Sequence, residues 1–244
     1  MKRKILLLAA LLTAATGVMA QTYRVHKTNG EVIRFENDEV EYIDFVVEQE
    51  IKPVDLGLPS GTLWSPVNIG ATTPEEYGEY FAWGECEMKD LYNWNTYIHC
   101  DEGNTYKMHE QPGKDIAGTE YDAAHVLWEK EWVMPTSAQF SELFQVCTTE
   151  FVTVNDVNGC RYTGPNGNSI FIPFAGRFYE KNEGVNVLDN EGSWGYYWSA
   201  TRDEYYPTKA ELLYVGGTST NKILSQSRDV GYPIRPVVTP KTEE

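Results

Sequence analysis

Residues able to bind metals are present in this sequence, but none stands at the spacing of a metal site. Zinc sites place pairs of ligands a few residues apart, whereas the four histidines are scattered: His26, His99, His109 and His125. His99 and His109 share one stretch with Cys100 and Asp101, where a zinc site could be drawn, although a solvated loop is the simpler interpretation. We therefore expect no bound metal.

Acidic residues are abundant, but their number alone does not identify a catalytic pair. Glycoside hydrolases need two carboxyl groups about 5–5.5 Å or about 6.5–9.5 Å apart, and 36 Asp and Glu residues make accidental pairs common. A serine nucleophile is also unsupported, since Ser199 lacks the G-x-S-x-G turn. The sequence predicts no catalytic residue and no cofactor. A glycan-active hydrolase or lyase of undefined type is the alternative.

Aromatic residues are the stronger lead to function. Seven fall in polar stretches rich in glycine or asparagine, which are typical of loops: Tyr92, Trp94, Tyr97, Tyr179, Trp194, Tyr205 and Tyr206. An exposed ring can stack on the apolar face of a sugar or anchor a protein interface. We expect a binding face built from some of these rings, while the alternative is that they fold back over the core. The tryptophans expected in the core are Trp64, Trp83, Trp132 and Trp198.

The N-terminus has the pattern of a secretory signal peptide over residues 1–20. Lys2, Arg3 and Lys4 precede an apolar run at residues 5–12, and a small residue, Ala20, ends the segment. The run is shorter than the roughly 20 residues that cross a bilayer, so we expect cleavage near Ala20 and no membrane span afterwards. The sequence predicts a secreted, periplasmic or cell-surface protein; a retained N-terminal anchor is the alternative.

Net charge narrows the choice of partner. The formal charge is −16 at pH 7, and it would become more negative on loss of the signal peptide, which carries three cationic residues. An acidic surface repels phosphate backbones, so we expect no nucleic-acid partner. A glycan or a surface protein is the expected partner.

The four cysteines allow disulfides in such a compartment. Two short-range pairings are favoured, Cys86 with Cys100 and Cys147 with Cys160, because each closes a short loop. Buried thiols without a disulfide are an equally weighted alternative.

Turn and strand signals divide the mature chain into three parts. Residues 21–50 are expected to form a small β module and a charged connector, with a hairpin at Asn29 and Gly30 and a third strand at residues 40–47. A main domain is expected over residues 51–238, followed by a polar tail at residues 239–244.

Inside the main domain the pattern predicts short strands and one or two helices. Glycines separate aromatic-rich pieces from residue 53 to residue 85, which is typical of tight turns between strands. A helical tendency covers residues 119–128, and a clearer helix begins at Thr136 or Ser137, just after Pro135. Further strands are predicted at residues 62–64, 80–83, 151–154, 160–163, 169–174, 196–200, 211–215 and 232–237.

Several ordered blocks of this domain resemble one family. The blocks read VDLGLPSGTLW, GEYFAWGE, WVMPTSAQFSELF, TGPNGNSIFIPFAGR, GYYWSAT and GYPIRPVV. Over about residues 54–238 they resemble the Fibrobacter succinogenes major paralogous domain. Members of that family occur in secreted proteins of gut Bacteroidetes, often behind a short N-terminal module.

The resemblance implies a fold but not a chemistry. The family is related to C-type lectin-like folds and to formylglycine-generating enzymes, whose W-R-L-P-T-E-A-E-W block is similar to WVMPTSAQF here. It implies a compact α+β domain of C-type lectin-like architecture, with short strands, one or two helices, long loops and termini that approach each other.

The residues that those relatives use for catalysis or for calcium-dependent sugar binding are missing from this sequence. The enzyme group needs a late cysteine pair, yet the last cysteine here is Cys160. The Glu-Pro-Asn, Gln-Pro-Asp and Trp-Asn-Asp motifs of calcium-dependent lectins are missing too. The sequence thus predicts a non-catalytic recognition or adhesion domain that binds carbohydrate or protein. A structural subunit of a surface assembly, pairing through residues 22–45, is a further alternative.

Overall fold

The computed structural model describes residues 22–26, 32–36, 51–101, 104–108, 112–128, 131–216 and 220–240. The chain divides into two compact units, Met1–Gln49 and Glu50–Glu244. Among the described residues, none of the helices has the length and apolar character needed to cross a membrane.

Two antiparallel strands are described in the first unit. Strand β1 (Thr22–His26) pairs with β2 (Val32–Glu36), with Thr22 opposite Glu36 and His26 opposite Val32. The pairing of these two strands agrees with the predicted hairpin, whose turn at Asn29 and Gly30 lies outside the described residues. The predicted signal peptide at residues 1–20 and the predicted third strand at residues 40–47 lie outside the described residues.

The second unit consists mainly of short antiparallel sheets. Its strands are β3 (Val54–Asp55), β4 (Leu63–Trp64), β5 (Cys100–Asp101), β6 (Asn104–Met108), β7 (Trp132–Val133), β8 (Thr148–Val154), β9 (Val157–Thr163), β10 (Ser169–Pro173), β11 (Arg177–Asn182), β12 (Val185–Asp189), β13 (Trp194–Arg202), β14 (Lys209–Gly216), β15 (Thr220–Ser227) and β16 (Val237–Val238). The helices are α1 (Ala123–Trp128) and α2 (Ser137–Val146). The sheet orders are β3-β4-β16-β7, β5-β6, β10-β9-β8, β11-β12 and β13-β14-β15. In the first of these sheets, β4 lies between β3, the first strand of the unit, and β16, the last one.

The three-stranded sheet β13-β14-β15 separates two apolar clusters. Successive residues of a strand point to opposite faces, so Tyr197 and Leu213 join one cluster while Trp198 and Leu212 join the other. All four side chains are fully buried. Trp64, Trp83, Trp132 and Trp198 are buried as well, which confirms the tryptophans predicted for the core.

Helix α2 begins where the sequence predicts. Thr136 is its N-cap: the hydroxyl accepts a hydrogen bond of 3.2 Å from the Gln139 backbone N–H, and Gln139 Oε1 accepts one of 2.8 Å from the Thr136 N–H. This reciprocal pair satisfies two donors that a helix start would leave open. Phe140 and Leu143 form the buried face of the helix.

The predicted α+β, C-type lectin-like fold class is wrong, because the structure is mostly β. In the described part, two helices of 6 and 10 residues stand against sixteen strands. The error lies in stretches for which no strand was predicted: Arg177–Asn182, Val185–Asp189 and Thr220–Ser227 are paired strands. Each mixes apolar residues with charged or amide ones, so no continuous apolar run marks it as a strand. Phe178, Leu188 and Ile223 pack from these strands against the cluster that contains Tyr197.

The glycine-rich opening does form tight turns. Gly57, Gly61, Gly70, Gly78 and Gly84 all have φ between 69° and 83°, a range that favours glycine. At Gly78 a Cβ atom would also collide with the carbonyl oxygen of Ile69. The strand predicted at residues 80–83 is instead irregular, with one isolated bridge between Phe81 and Tyr232.

Candidate functional site: an aromatic groove

The structure places the seven predicted aromatic residues in different environments. Tyr92 and Tyr97 are buried, with 3% and 2% of their surface exposed. Trp94, Tyr179 and Trp194 are half-buried. Tyr205 and Tyr206 are exposed at 79% and 59%. Three of the seven nevertheless come together, since Tyr92, Trp94 and Tyr179 line one open groove.

This groove has a volume of about 350 Å³ and is bounded by three chain segments. Its lining comprises Tyr92, Asn93, Trp94, Asn95, Tyr179, Glu180, Ser227, Asp229 and Val230. The first four belong to an irregular segment, the next two to β11, and the last three to the end of β15 and the turn after it. Rings, amides and carboxylates thus meet at one concave surface, which is the usual character of a ligand site.

The irregular segment is held in shape by its own polar side chains. Asn93 Oδ1 accepts a hydrogen bond of 3.0 Å from the Thr96 backbone N–H, and the Thr96 hydroxyl donates one of 2.6 Å to the Leu91 carbonyl. The Tyr92 hydroxyl donates to the Tyr80 carbonyl, which anchors the ring inward. Burial raises the pKa of Tyr92 to about 12, so this donor keeps its proton at neutral pH.

Strand β11 forms the opposite wall and bonds to both neighbouring segments. Its Glu180 N–H donates to the Tyr92 carbonyl at 3.0 Å, while Phe178 exchanges backbone hydrogen bonds of 2.9 and 2.8 Å with Gly231. The Glu180 carboxylate accepts from Asn93 Nδ2 at 2.9 Å and from the Gly184 N–H at 2.6 Å. The walls are therefore set by protein hydrogen bonds before any ligand arrives.

Negative charge dominates the lining of the groove. Its two charged side chains are Glu180 and Asp229, and no Lys or Arg lines it. Asp229 is 8% exposed and accepts a hydrogen bond from the Ser227 hydroxyl; burial raises its pKa. Lys89 lies nearby, 5.6 Å from the centre of the Tyr92 ring, but Glu85 pairs with it at 2.7 Å. Anionic ligands are disfavoured at such a surface.

The two exposed tyrosines lie outside this lining, on the loop between β13 and β14. Asp203 Oδ1 accepts hydrogen bonds of 2.8 Å from the N–H groups of both Tyr205 and Tyr206. The Pro207 carbonyl accepts one of 2.9 Å from the fully buried Arg228. The loop is thus anchored at both ends while the rings face solvent.

The described part of the stretch around His99 shows no metal site. His99 is 7% exposed, contacts the Gly84 carbonyl oxygen at 2.8 Å and packs against the rings of Tyr97 and Tyr121, so the solvated-loop interpretation is wrong for it. His109 lies outside the described residues. Within the described ranges, no group of three His, Cys, Asp or Glu side chains could hold a metal ion.

All four cysteines are thiols, so neither favoured disulfide is present. Cys160 lies opposite Phe151 in the β8–β9 ladder, four residues beyond Cys147; at about 3.4 Å per residue that offset exceeds the reach of a disulfide. Cys86 packs against the second apolar cluster and Cys100 belongs to the first. Burial raises the pKa of Cys86, Cys147 and Cys160 to about 11.

Sequence reasoning missed the polar half of the groove. Asn93 and Asn95 alternate with the aromatics of residues 92–97, a signal that could have included them. Nothing in the local sequence marks Glu180 or Asp229, because strand pairing brings them to the groove from distant positions.

Comparison of the chain with family models, with curated proteins and with solved structures gave no match in any of the three. The resemblance to the Fibrobacter succinogenes major paralogous domain therefore stays a prediction that depends on the sequence blocks named above.

Proposed function

We propose that this chain is a non-catalytic recognition domain that binds carbohydrate in the aromatic groove. The observation that carries the proposal is the meeting of Tyr92, Trp94 and Tyr179 with two asparagines and two carboxylates at one open surface. Secretion through the predicted signal peptide would place such a domain where glycans are met, at the cell surface or outside the cell.

The lining suits the two faces of a sugar. Aromatic rings contact the apolar C–H face of a pyranose, and the half-buried Trp94 and Tyr179 are the rings with accessible surface. Amide and carboxylate groups bond hydroxyls, since Asn both donates and accepts while a carboxylate accepts. Asn95 is exposed and free of the internal bonds that occupy Asn93 among the described residues, so its amide is available.

The volume of the groove suits a short segment of a polysaccharide chain better than a large cofactor. About 350 Å³ lies near the lower end of the range for small-molecule sites. Binding along an open groove leaves the ends of a chain in solvent, which is suited to recognition of polysaccharide segments.

A glycan array and a polysaccharide pull-down on residues 21–244 test the proposal. Trp94→Ala should weaken binding about tenfold or more, which corresponds to about 1.4 kcal/mol, and Trp94→Phe should restore part of it. Tyr205→Ala removes a more exposed ring outside the groove and should leave the affinity unchanged. Equal binding by wild type and Trp94→Ala would reject the groove, and release of new reducing ends would reject a non-catalytic role.

A second candidate, contact between two copies of the chain, is favoured by the exposure of Tyr205 and Tyr206 on an anchored loop. Tyrosines are enriched at interface hot spots. Sedimentation of wild type and of Tyr205→Ala/Tyr206→Ala should then show a dimer that the variant loses. A monomer in both removes this candidate.

A further inference from the structure

A line of rings and cations crosses the sheet β13-β14-β15 and starts at the groove. We name this line the ring track; its members are Tyr179, Arg177, Tyr196, Tyr214, Trp194 and Lys222. Tyr196 is paired with Tyr214 and Tyr214 with Lys222 in the strand register. Directly opposed residues lie on the same face of a sheet, so the track follows from the register.

Each step along the track is short. The Arg177 guanidinium carbon is 4.8 Å from the centre of the Tyr179 ring and 5.7 Å from that of Tyr196. Tyr196 and Tyr214 have ring centres 5.3 Å apart. Trp194 stacks on Tyr214 at 5.2 Å with 23° between the ring planes.

The track is continuous with the groove through shared structure. Tyr179 lines the groove and is also the first ring of the track. A parallel bridge between Gly176 and Gly195 joins the start of β11 to β13, and the Gly176 N–H donates to the Trp194 carbonyl at 2.8 Å. The groove wall β11 and the sheet that carries the track are therefore joined by backbone hydrogen bonds.

Exposure changes along this face of the sheet. Trp198, on the same strand and the same face, is fully buried in the second cluster, and Tyr196 is 8% exposed. Trp194 and Tyr214 are half-buried and Lys222 is exposed. The covering structure thus ends at Trp194 and Tyr214, which leaves surface for an occupant beside the groove.

We propose that the ligand is a linear glycan chain of several sugar units, which lies in the groove and continues along the ring track. This inference rests on the proposed function, because the groove supplies its first contacts. The half-buried rings of Tyr179, Tyr214 and Trp194 offer successive contacts, and each ring contact should raise affinity by roughly threefold to tenfold. The two groove carboxylates disfavour uronic acids and sulfated sugars at the first contacts. The Arg177 cation of the track is already paired with Asp189 at 3.1 Å, so we expect a neutral chain.

The test is a chain-length series measured by calorimetry on residues 21–244. The probes are neutral β-linked gluco-, xylo- and manno-oligosaccharides of two to six units, with oligogalacturonides as the anionic comparison. For the oligosaccharide that binds, affinity should rise at least tenfold from two to six units, and oligogalacturonides should not bind.

Variants separate the track from the groove. Trp194→Ala should lower affinity for the six-unit chain while leaving the two-unit affinity unchanged, and Trp194→Phe, a milder change that keeps a ring against Tyr214, should give an intermediate loss. Trp94→Ala should lower both affinities. Leu127→Ala, at an exposed position of α1 outside both surfaces, is the matched control and should change neither.

The outcomes distinguish the two proposals. If affinity does not change with chain length and the Trp194 variants bind as well as the wild type, while Trp94→Ala still weakens binding, the track is overturned and the groove stands. Binding of oligogalacturonides in preference overturns the neutral ligand class. Absence of binding to every oligosaccharide and polysaccharide overturns both the track and the proposed function.

Discussion

Asn93 donates a hydrogen bond of 2.9 Å from Nδ2 to Oε2 of Glu180, which joins two of the segments that line the groove. The second carboxylate oxygen of Glu180 accepts from the Gly184 N–H, in the turn between β11 and β12. One side chain thus fixes both the irregular wall and the end of the hairpin. Preorganised walls lower the cost of ordering on binding.

The Asn93–Glu180 bond should show as a coupling energy in a double-mutant cycle. Asn93→Ala, Glu180→Ala and the double variant should give a coupling of about 0.5–1.5 kcal/mol in urea unfolding, the usual net value of one hydrogen bond. Glu180→Gln keeps an acceptor and should cost less than Glu180→Ala. Glu183→Ala changes an exposed carboxylate in the same hairpin and should be neutral. A coupling near zero would show that the two side chains act independently.

The contribution of Asp229 to the free energy of unfolding should fall as pH rises. Burial raises its pKa in the folded state, with Ser227 donating to it and Lys89 and Glu85 as the nearby charges. The folded state then binds the proton more tightly than the unfolded chain does, so the contribution is largest below the ordinary Asp value of about 4 and declines through the folded pKa.

Urea unfolding at pH 4, 5, 6 and 7 checks this sign for Asp229. Relative to Asp229→Asn, the wild type should lose free energy of unfolding across the series. Asp156→Asn, at an exposed turn position, should run parallel to the wild type. A difference that is constant with pH, or that grows in the other direction, would contradict the prediction.

Sequence patterns predicted those parts of the fold that have local signals. The α2 start was predictable because a residue with a hydroxyl group follows Pro135, and Thr136 is the N-cap. The β8–β9 hairpin was predictable because a polar turn joins two β-prone runs. Strand β15 has no such signal: its residues alternate weakly, and pairing with β14 decides its structure. Underestimating such strands produced the wrong fold class.

The site was predictable only by residue type. Aromatic residues in polar stretches led to Tyr92, Trp94 and Tyr179, but the same rule also chose Tyr97, which is buried beneath Trp94. Which rings are exposed and which lie close together depends on the register between distant strands, and local composition does not encode that register. The carboxylate of Asp229 had no local sign for that reason.

Arg235 should be among the most costly side chains to replace. It is fully buried and donates from Nε to Asn68 Oδ1 at 2.7 Å and from its two terminal nitrogens to the carbonyls of Ser65 and Phe171 at 3.2 and 3.0 Å. Burial lowers its pKa to about 10. Arg235→Met removes one donor from each of three buried acceptors, and an acceptor left unpaired costs about 1–3 kcal/mol.

We expect Arg235→Met to lower the free energy of unfolding by about 3 kcal/mol or more in urea titration. Arg235→Lys should lower it as well, because a single ammonium group does not reproduce the planar set of donors of the guanidinium. Arg161→Met is the matched control. Arg161 pairs with Glu150 at the surface, so its replacement should cost under about 1 kcal/mol. Equal losses in both variants would refute the role of burial.

The cysteines should behave as buried thiols even after export to an oxidising compartment. Thiol titration of native protein near pH 8 should label none of them quickly, because a pKa of about 11 at Cys86, Cys147 and Cys160 leaves little thiolate. In guanidinium all four should react, and a reducing agent should not change the melting temperature. Fewer than four thiols in denaturant would reveal a disulfide and overturn this prediction.

Asp122 connects helix α1 to strand β7 through four backbone donors. Its Oδ1 accepts from the N–H groups of Ala124 and His125 at 2.9 and 3.1 Å. Its Oδ2 accepts from those of Gly118 and Met134 at 2.8 and 2.9 Å. The side chain is fully buried, so no water replaces a lost acceptor.

Asp122→Asn therefore tests whether the carboxylate, rather than its shape, holds these segments. The amide keeps one acceptor oxygen, but its NH₂ would face two N–H donors, which should cost about 2–5 kcal/mol in urea unfolding. Asp115→Asn is the matched control: Asp115 is exposed and uses one oxygen, towards Ala117, so the amide can replace it within about 0.5 kcal/mol. If both variants unfold at the same urea concentration, the four-donor arrangement around Asp122 does not stabilise the fold.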